Sequence, residues 1–346
     1  MPEILPTHTP ALFAVAVQRA AEALRRGELV GLPTETVYGL AANALDREAV
    51  ARIYALKGRP AENPIIVHVA SREMARELAA EWPDLADRLA SQFWPGPLTL
   101  VVRRSTSIPD VVTAGGETVG LRWPVHPLMP AVIQMTGFPL AAPSANLANQ
   151  LSPTCAAHVA SQFGDRLALI VDGGDCNVGI ESTVVDVTRG RPVILRPGMI
   201  AGAAIEAAAF DRDIDGALSR PPVSPEGIPP VSGVLRSPGM LPRHYAPRGR
   251  LVVWSWTHES ELHRRLIDAG INPEKVTVIA YRQIPLSGRL PHIQVIPDDA
   301  EAYARAIYGQ LHACDAEGAE WIVVEEPPGT PDWEGIRDRL RRASTP

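Results

Sequence analysis

Between residues 10 and 200, short apolar runs that end in proline or glycine alternate with longer amphipathic stretches. That alternation confines the chain to an α/β fold, because segments of strand and helix length that follow one another bury their apolar faces by packing helix on sheet. The spacing predicts a helix over 10–27, with Pro10 in its first turn and Gly27 as its stop. Residues 46–59 read as a second helix, with Asp46 as cap and Gly58 as stop. SREMARELAAEW and PDLADRLASQFW read as consecutive helices, HPLMPAVIQMTG and CAAHVASQFGDRL as two more. Strands are expected at LVGLP, PIIVHVA, LTLVVRR, TVGLRWP, PLAAPSAN, ALIVDGG, STVVDVT and PVILRPG. PIIVHVA is apolar on both faces and belongs in the interior of the resulting large, twisted, mixed sheet.

The pattern breaks at residues 211–249, which are rich in Pro, Gly and Ser. A stretch this long is unusual inside one compact domain and reads as an extended linker. Beyond it RLVVW, KVTVIAY, HIQVI and WIVVEE read as strands separated by helices, a smaller Rossmann-like α/β domain with a mainly parallel sheet. The expected boundaries are 8–210, 211–249 and 250–346. No dinucleotide glycine fingerprint, P-loop or nucleophile elbow occurs.

The net charge of −6 argues against a wide nucleic-acid-gripping surface but leaves room for a local basic pocket and a weak RNA contact. Cys155, Cys176 and Cys314 lie far apart in no metal-ligand spacing, so a reduced compartment is expected. With no secretion signal and no bilayer-length apolar run, the expectation is a cytoplasmic protein without membrane contact.

Five polar clusters sit at strand ends, where ligands of α/β sheets bind. Pro33–Leu40 (PTETVYGL) sets two hydroxyls and a carboxylate in a turn, which reads equally as a capped chain reversal. Lys57-Gly58-Arg59-Pro60, with Asn63 after it, pairs a point charge and a guanidinium fork at a helix end, either for phosphate or as helix capping. Ala142–Asn146 (APSAN) is followed by Ser152-Pro153-Thr154, small residues that let a ligand approach or that cap the next helix. Arg122 alternates out of the apolar strand TVGLRWP, as a carboxylate clamp or as a surface ion pair. Gly179–Asp186 (GIESTVVD) precedes Arg196 in LRPG. His68 lies within PIIVHVA, where a satisfied core histidine and a functional one look alike.

With their order and spacing, PTETVYGL, KGRP with NPIIVHV, TVGLRWPVHP, APSAN with SPT, GIESTVVD, LRPG and SPGMLPRHYAP resemble the long, two-domain form of the threonylcarbamoyl-AMP synthases. The resemblance spans essentially the whole chain and implies a YrdC-like α/β domain with a concave, locally positive pocket. It implies a nucleotidyltransferase reaction in which L-threonine, bicarbonate (or carbon dioxide) and ATP give threonylcarbamoyl-AMP and pyrophosphate. A threonylcarbamoyl transferase complex then modifies the adenosine 3′ of the anticodon of tRNAs reading codons that begin with A.

Carried over by position, Lys57 and Arg59 are catalytic and bind ATP with Asn63, Thr118, Ser144, Asn146, Ser152, Arg196 and Tyr245. Thr36, His68, Arg122, Ala142 and Ser182 match the threonine site. Mg2+ is expected on the ATP phosphates, with no all-protein metal cage. Tyr245 in RHYAP implies a lid that excludes water, so Tyr245→Ala is expected to slow synthesis and leave the fold intact. Replacing Lys57 or Arg59 by Ala is expected to abolish turnover at little cost in stability. After APSAN the family commonly has glycine where this chain has Leu147–Gln150; Asn149 is the residue there able to take left-handed geometry, and the contact from Ser152 is the one at stake. The alternatives are a carbamoyl-adenylate transferase, opposed by the absence of zinc-finger-like cysteine repeats, and a non-catalytic RNA-binding module of ribosome assembly, opposed by the net acidity.

Overall fold

The computed structural model describes residues 1–210 and 244–345. It divides into two compact units: Met1–Ala148 with the described residues from Pro153 to 210, and Asn149–Ser152 with those from 244 onward. Among the described residues no helix is long and apolar enough to cross a membrane.

The first unit holds β1 (Glu3–Pro6), β2 (Val30–Leu32), β3 (Gly39–Asn43), β4 (Val67–His68), β5 (Ala79–Glu81), β6 (Leu98–Arg104), β7 (Thr118–Arg122), β8 (Leu140–Ala141), β9 (Leu169–Asp172), β10 (Thr183–Asp186) and β11 (Val193–Arg196). They form one eleven-stranded sheet in the order β1-β9-β2-β3-β8-β4-β7-β6-β10-β11, with β5 pairing β6. The sheet is mixed: β4 runs parallel to β7, and β6 antiparallel to it. Around it lie α1 (Pro10–Arg25), α2 (Arg47–Lys57), α3 (Arg72–Glu77), α4 (Asp84–Phe93), α5 (Leu128–Thr136), α6 (Ala156–Phe163) and α7 (Gly202–Phe210).

The helices start and stop where their termini are satisfied. The Thr9 hydroxyl accepts from Leu12 N at 3.2 Å to cap α1, and Pro10 fills its first turn. The Asp46 carboxylate caps α2 by accepting from Glu48 N and Ala49 N. Gly58 ends α2 at φ +61°, the left-handed geometry that turns the chain straight into Arg59. Ala16, Ala20 and Leu24 of α1 pack with Leu128, Val132 and Ile133 of α5 in one core cluster. Ile53 of α2 is fully buried in a second cluster. Each large aliphatic chain so buried contributes roughly 1.5–3 kcal/mol.

Three expectations need correction. The domain begins before residue 8, because β1 pairs in parallel with β9. The helix expected to run to Trp82 ends at Glu77, and β5 pairs antiparallel with β6 instead. Cys155, not Ser152 or Thr154, takes the cap position of α6, with no side-chain cap bond. Of the expected linker, residues 211–243 lie outside the described residues.

The second unit has a four-stranded, all-parallel sheet of β12 (Arg250–Trp254), β13 (Val276–Ala280), β14 (His292–Val295) and β15 (Trp321–Glu325), in the order β12-β15-β13-β14. The helices α8 (Glu259–Asp268), α9 (Ala300–Ala316) and α10 (Glu334–Ala343) complete it. β13 is buried along its whole length, as a central parallel strand must be. At the end of β15 the Glu325 carboxylate accepts from the backbone N–H groups of Tyr281 (2.8 Å), Arg282 (3.0 Å) and Gln283 (3.1 Å). The four residues Asn149–Ser152 are part of this unit: Gln150 bridges Ala246, Ala246 N donates to Asn149 O at 2.9 Å, and His312 Nε2 lies 3.0 Å from Ser152 O. Asn149 does take left-handed geometry, at φ +66°. Residues 244–249 therefore belong to the C-terminal unit rather than to a linker.

Candidate active site

Strand alternation puts Thr118, Gly120 and Arg122 of β7 on one face. A Cβ on Gly120 would stand 3.2 Å from Thr99 Cγ2, so glycine is what lets the Thr99 side chain lie against the backbone between Thr118 and Arg122. Arg122 is 4% exposed. Its Nη1 donates to the Thr36 hydroxyl at 2.8 Å, and its Nη2 lies 2.7 Å from Glu35 Oε1. Thr36 reaches it from the turn between β2 and β3. There the Thr34 hydroxyl accepts from Thr36 N and Val37 N, so PTETV is a capped turn built on Thr34 that frees Thr36 for Arg122.

The Glu35–Arg122 contact is an ion pair without a directed hydrogen bond: Nη2 and both carboxylate oxygens are buried with no hydrogen-bond partner. His68 stands in register with Arg122, and its Nδ1 is likewise buried without a partner. Burial first, and then the Arg122 charge, hold His68 well below the usual imidazole range, while the Leu140 carbonyl works the other way. His68 is therefore neutral. Buried polar atoms normally find partners, and here three side chains that lack them converge on one spot.

A second group begins where β10 lies beside β6. The Thr99 and Ser182 hydroxyls are 2.8 Å apart. Arg196, 3% exposed at the end of β11, donates from Nη2 to Ser182 O at 3.0 Å and to its hydroxyl at 3.1 Å. A Cβ on Gly198 would fall 2.5 Å from Thr183 N, so LRPG requires its glycine.

The third group surrounds the end of α2. Lys57 Nζ donates to the carbonyls of Ser144, at 2.5 Å, and Asn146. Burial, then the neighbouring Arg59, push its amine well below the usual lysine range. Arg59 is half-buried, donating from Nε to Asn63 O at 2.9 Å and from Nη2 to Asn63 Oδ1 at 2.8 Å. Leu40 N donates to Pro143 O and Ala145 N to Tyr38 O, which ties APSAN to the turn carrying Thr36. Ala142 is buried beside Gly39, where a Cβ would lie 3.1 Å from its own.

The first unit thus gathers Thr36, His68 and Arg122 in one group, Ser182 and Arg196 in a second, and Lys57, Arg59, Asn63, Ser144 and Asn146 in a third, with Ala142 beside Gly39 and Thr118 on the Arg122 face of β7. Ser152 and Tyr245 are in the second unit, beside one another's loops. Tyr245 is 1% exposed at φ +61°, its ring 4.0 Å from that of His244 and 5.2 Å from the Arg339 guanidinium. Truncating so buried a ring costs about 3–5 kcal/mol, so Tyr245→Ala carries a stability cost that the expectation left out. Lys57 is corrected likewise. It is 3% exposed and cross-links two carbonyls, so its removal costs stability as well as charge. Glu35 and Thr99 are the site residues that sequence reasoning left out.

A family model described as Telomere recombination matches residues 22–198, and one described as Threonylcarbamoyl-AMP synthase, C-terminal domain, matches residues 203–345. The chain is 39% identical over 336 residues to the threonylcarbamoyl-AMP synthase of Pyrococcus abyssi, covering 95% of this chain and 94% of that one. It is 38% identical over 337 residues to that of Bacillus subtilis, covering 95% and 92%. Among solved structures it is similar to Pyrococcus abyssi Sua5 complexed with L-threonine, with a TM-score of 0.87 and 36% identity over 99% of this chain and 97% of that one.

Proposed function

The chain belongs to the threonylcarbamoyl-AMP synthase family, and on that premise we propose how its pocket divides the reaction. The enzyme joins L-threonine, bicarbonate or carbon dioxide, and ATP into threonylcarbamoyl-AMP and pyrophosphate. This is a nucleotidyl transfer and the first step of threonylcarbamoyladenosine modification of tRNA. A threonylcarbamoyl transferase complex consumes the product.

Threonine's carboxylate sits on the Arg122 guanidinium, with the Thr36 and Ser182 hydroxyls, the Ala142 backbone and the neutral His68 around the rest of the molecule. Lys57, Arg59 and Arg196 receive the triphosphate, and Asn63, Thr118, Ser144 and Asn146 hydrogen-bond the nucleotide. For Ser152 and Tyr245 the nucleotide role rests on the resemblance alone. The carbamate oxygen attacks the α-phosphorus and pyrophosphate leaves. Catalysis is positioning and neutralisation of phosphate charge, because such a displacement needs no covalent partner from the protein. An arriving triphosphate favours the ammonium form of Lys57 that burial disfavours.

Among the described residues no group of three or more His, Cys, Asp or Glu side chains could hold a metal ion. The pocket's donors are cations and hydroxyls, which fit a magnesium ion carried on the phosphates. Bound there, it would neutralise phosphate charge.

One observation carries this reading: a guanidinium 4% exposed, donating to the Thr36 hydroxyl and the Gly96 carbonyl and ringed by buried polar atoms without hydrogen-bond partners. The test is incubation with ATP, bicarbonate and labelled threonine. Threonine-dependent pyrophosphate release with label in an adenylate is expected. Release that ignores threonine, or an equal response to serine or carbamoyl phosphate, refutes the reading.

A further inference from the structure

We propose that Glu35 binds the α-ammonium of threonine and accepts its proton as the carbamate forms. The proposal rests on the threonine assignment above and deepens it with a residue outside that assignment.

Glu35 is 3% exposed, and its backbone is fixed by Val178 N, which donates to its carbonyl at 2.7 Å. Its carboxylate has one charge beside it, Arg122 Nη2 at 2.7 Å, and no N–H or O–H aimed at either oxygen. A buried carboxylate ordinarily collects directed donors, as Glu325 does from three backbone N–H groups. What Glu35 lacks is a donor, and the donor that suits it is cationic and reaches it beside a guanidinium.

An amino-acid zwitterion has that shape. Its ammonium and carboxylate branch from one carbon, so a carboxylate seated on Arg122 brings the ammonium to the groups flanking the guanidinium. Glu35 flanks it on one side and the uncharged Thr36 hydroxyl on the other. Charges then alternate from Glu35 to ammonium to carboxylate to Arg122.

The titratable groups facing this corner leave Glu35 as the acceptor. His126 and Cys176 both feel its charge, and burial holds the first below and the second above its usual range, so both are uncharged. His68 is held neutral and is a weak base there. In the step, the ammonium gives one proton to Glu35. The freed lone pair forms an N–C bond to carbon dioxide while one C=O electron pair moves onto oxygen. With carbon dioxide the second N–H proton leaves to solvent, which completes the carbamate; with bicarbonate that proton instead joins the departing hydroxide, which leaves as water. Glu35 returns its proton to solvent before the next turnover.

Glu35→Gln keeps the size and an oxygen for Arg122 but cannot take the proton. Threonine-dependent pyrophosphate release at pH 7 should fall about 100-fold or more. The ratio of variant to wild type should rise as pH climbs through threonine's own ammonium titration, where the amine arrives deprotonated. A purely structural role predicts an equal deficit at every pH, and that result, or wild-type activity at pH 7, overturns the proposal. A second measurement uses the wild type alone. 2,3-Dihydroxybutanoate, threonine with its amine replaced by hydroxyl, should bind about tenfold or more weakly than threonine in the presence of a non-hydrolysable ATP analogue. Equal affinity overturns the proposal even if the variant does not fold. A wild type that makes no threonylcarbamoyl-AMP removes the functional reading instead; an active wild type with indifferent variant and analogue removes only the role of Glu35.

Discussion

Glu35 in the first unit and Glu325 in the second are both buried carboxylates, 3% and 5% exposed, and the chain treats them differently. Glu325 receives three successive backbone N–H groups, which fastens the loop after β13 to the end of β15. Asp338 is saturated in the same way by Arg339, Arg341 and Arg342. Glu35 faces one guanidinium with no directed bond. A buried charge closed off by its own chain maintains a fold. One whose oxygens remain undirected is set for a ligand, because the missing donor lowers stability unless something returns to satisfy it. The Tyr303 hydroxyl in the second unit also lacks a partner, but its ring packs against those of Tyr281 and Trp333, at 5.8 and 5.1 Å, as part of an aromatic core.

The largest effect should come from breaking the open pair. Arg122→Ala removes the threonine clamp and leaves Glu35 as an uncompensated buried charge. That costs about 3–5 kcal/mol of stability, and threonine-dependent pyrophosphate release should disappear. Arg122→Met combined with Glu35→Gln removes both charges and should recover most of that stability while activity stays absent. Denaturant unfolding and the pyrophosphate assay on the same samples read both quantities. If the double variant is as unstable as the single one, the pair is fold-maintaining and the contrast with Glu325 fails.

A smaller effect is expected in the closed clip. Glu325→Gln exchanges three charge-assisted acceptances for neutral ones and turns an amide donor toward backbone N–H groups. A loss of about 1.5–3 kcal/mol should follow, with the rate per folded molecule unchanged. Loss of activity without loss of stability would show that Glu325 does more than close its own unit.

Much of the fold was legible because its signals are local. Asp46 and Gly58 bound α2 within one turn of sequence, and the apolar run of β13 announces a central parallel strand. β1 and β5 were not legible. The four residues of β1 are strand only because β9, more than 160 residues later, offers an edge. Ala-Ala-Glu in β5 favours helix until β6 pairs with it, a tertiary override of propensity. In the site, Arg122 showed itself as a lone cation alternating out of an apolar strand. Glu35 did not, because a carboxylate between two threonines also describes a capped turn, and Thr34 does cap one. Thr99 depends on Ser182, 83 positions away. The charge of Lys57 was visible but its burial was not, since the carbonyls it bonds arrive from the loop after β8.

The smallest predicted effect uses the neutral histidine of the open site. Burial holds His68 well below the imidazole range in the folded chain, whereas the unfolded chain titrates near 6.5. Above the unfolded value neither state carries the proton and stability is unaffected. As pH falls through it, the unfolded state gains a proton that the folded state refuses. Stability therefore drops, with a slope of at most about 1.4 kcal/mol per pH unit for one proton. His68→Gln should lose less stability than the wild type between pH 7 and pH 5, whatever its starting stability. His312 in the second unit is also held down by burial, though the Ser152 carbonyl opposes the shift, so His312→Gln serves as the matched comparison. Denaturation of each variant at the two pH values separates the contributions. If threonine shrinks the acid loss in the wild type but not in His68→Gln, then His68 belongs to the ligand-facing set with Glu35 and Arg122. If threonine leaves the loss unchanged in both, His68 is a core histidine, and the open site narrows to Glu35 and Arg122.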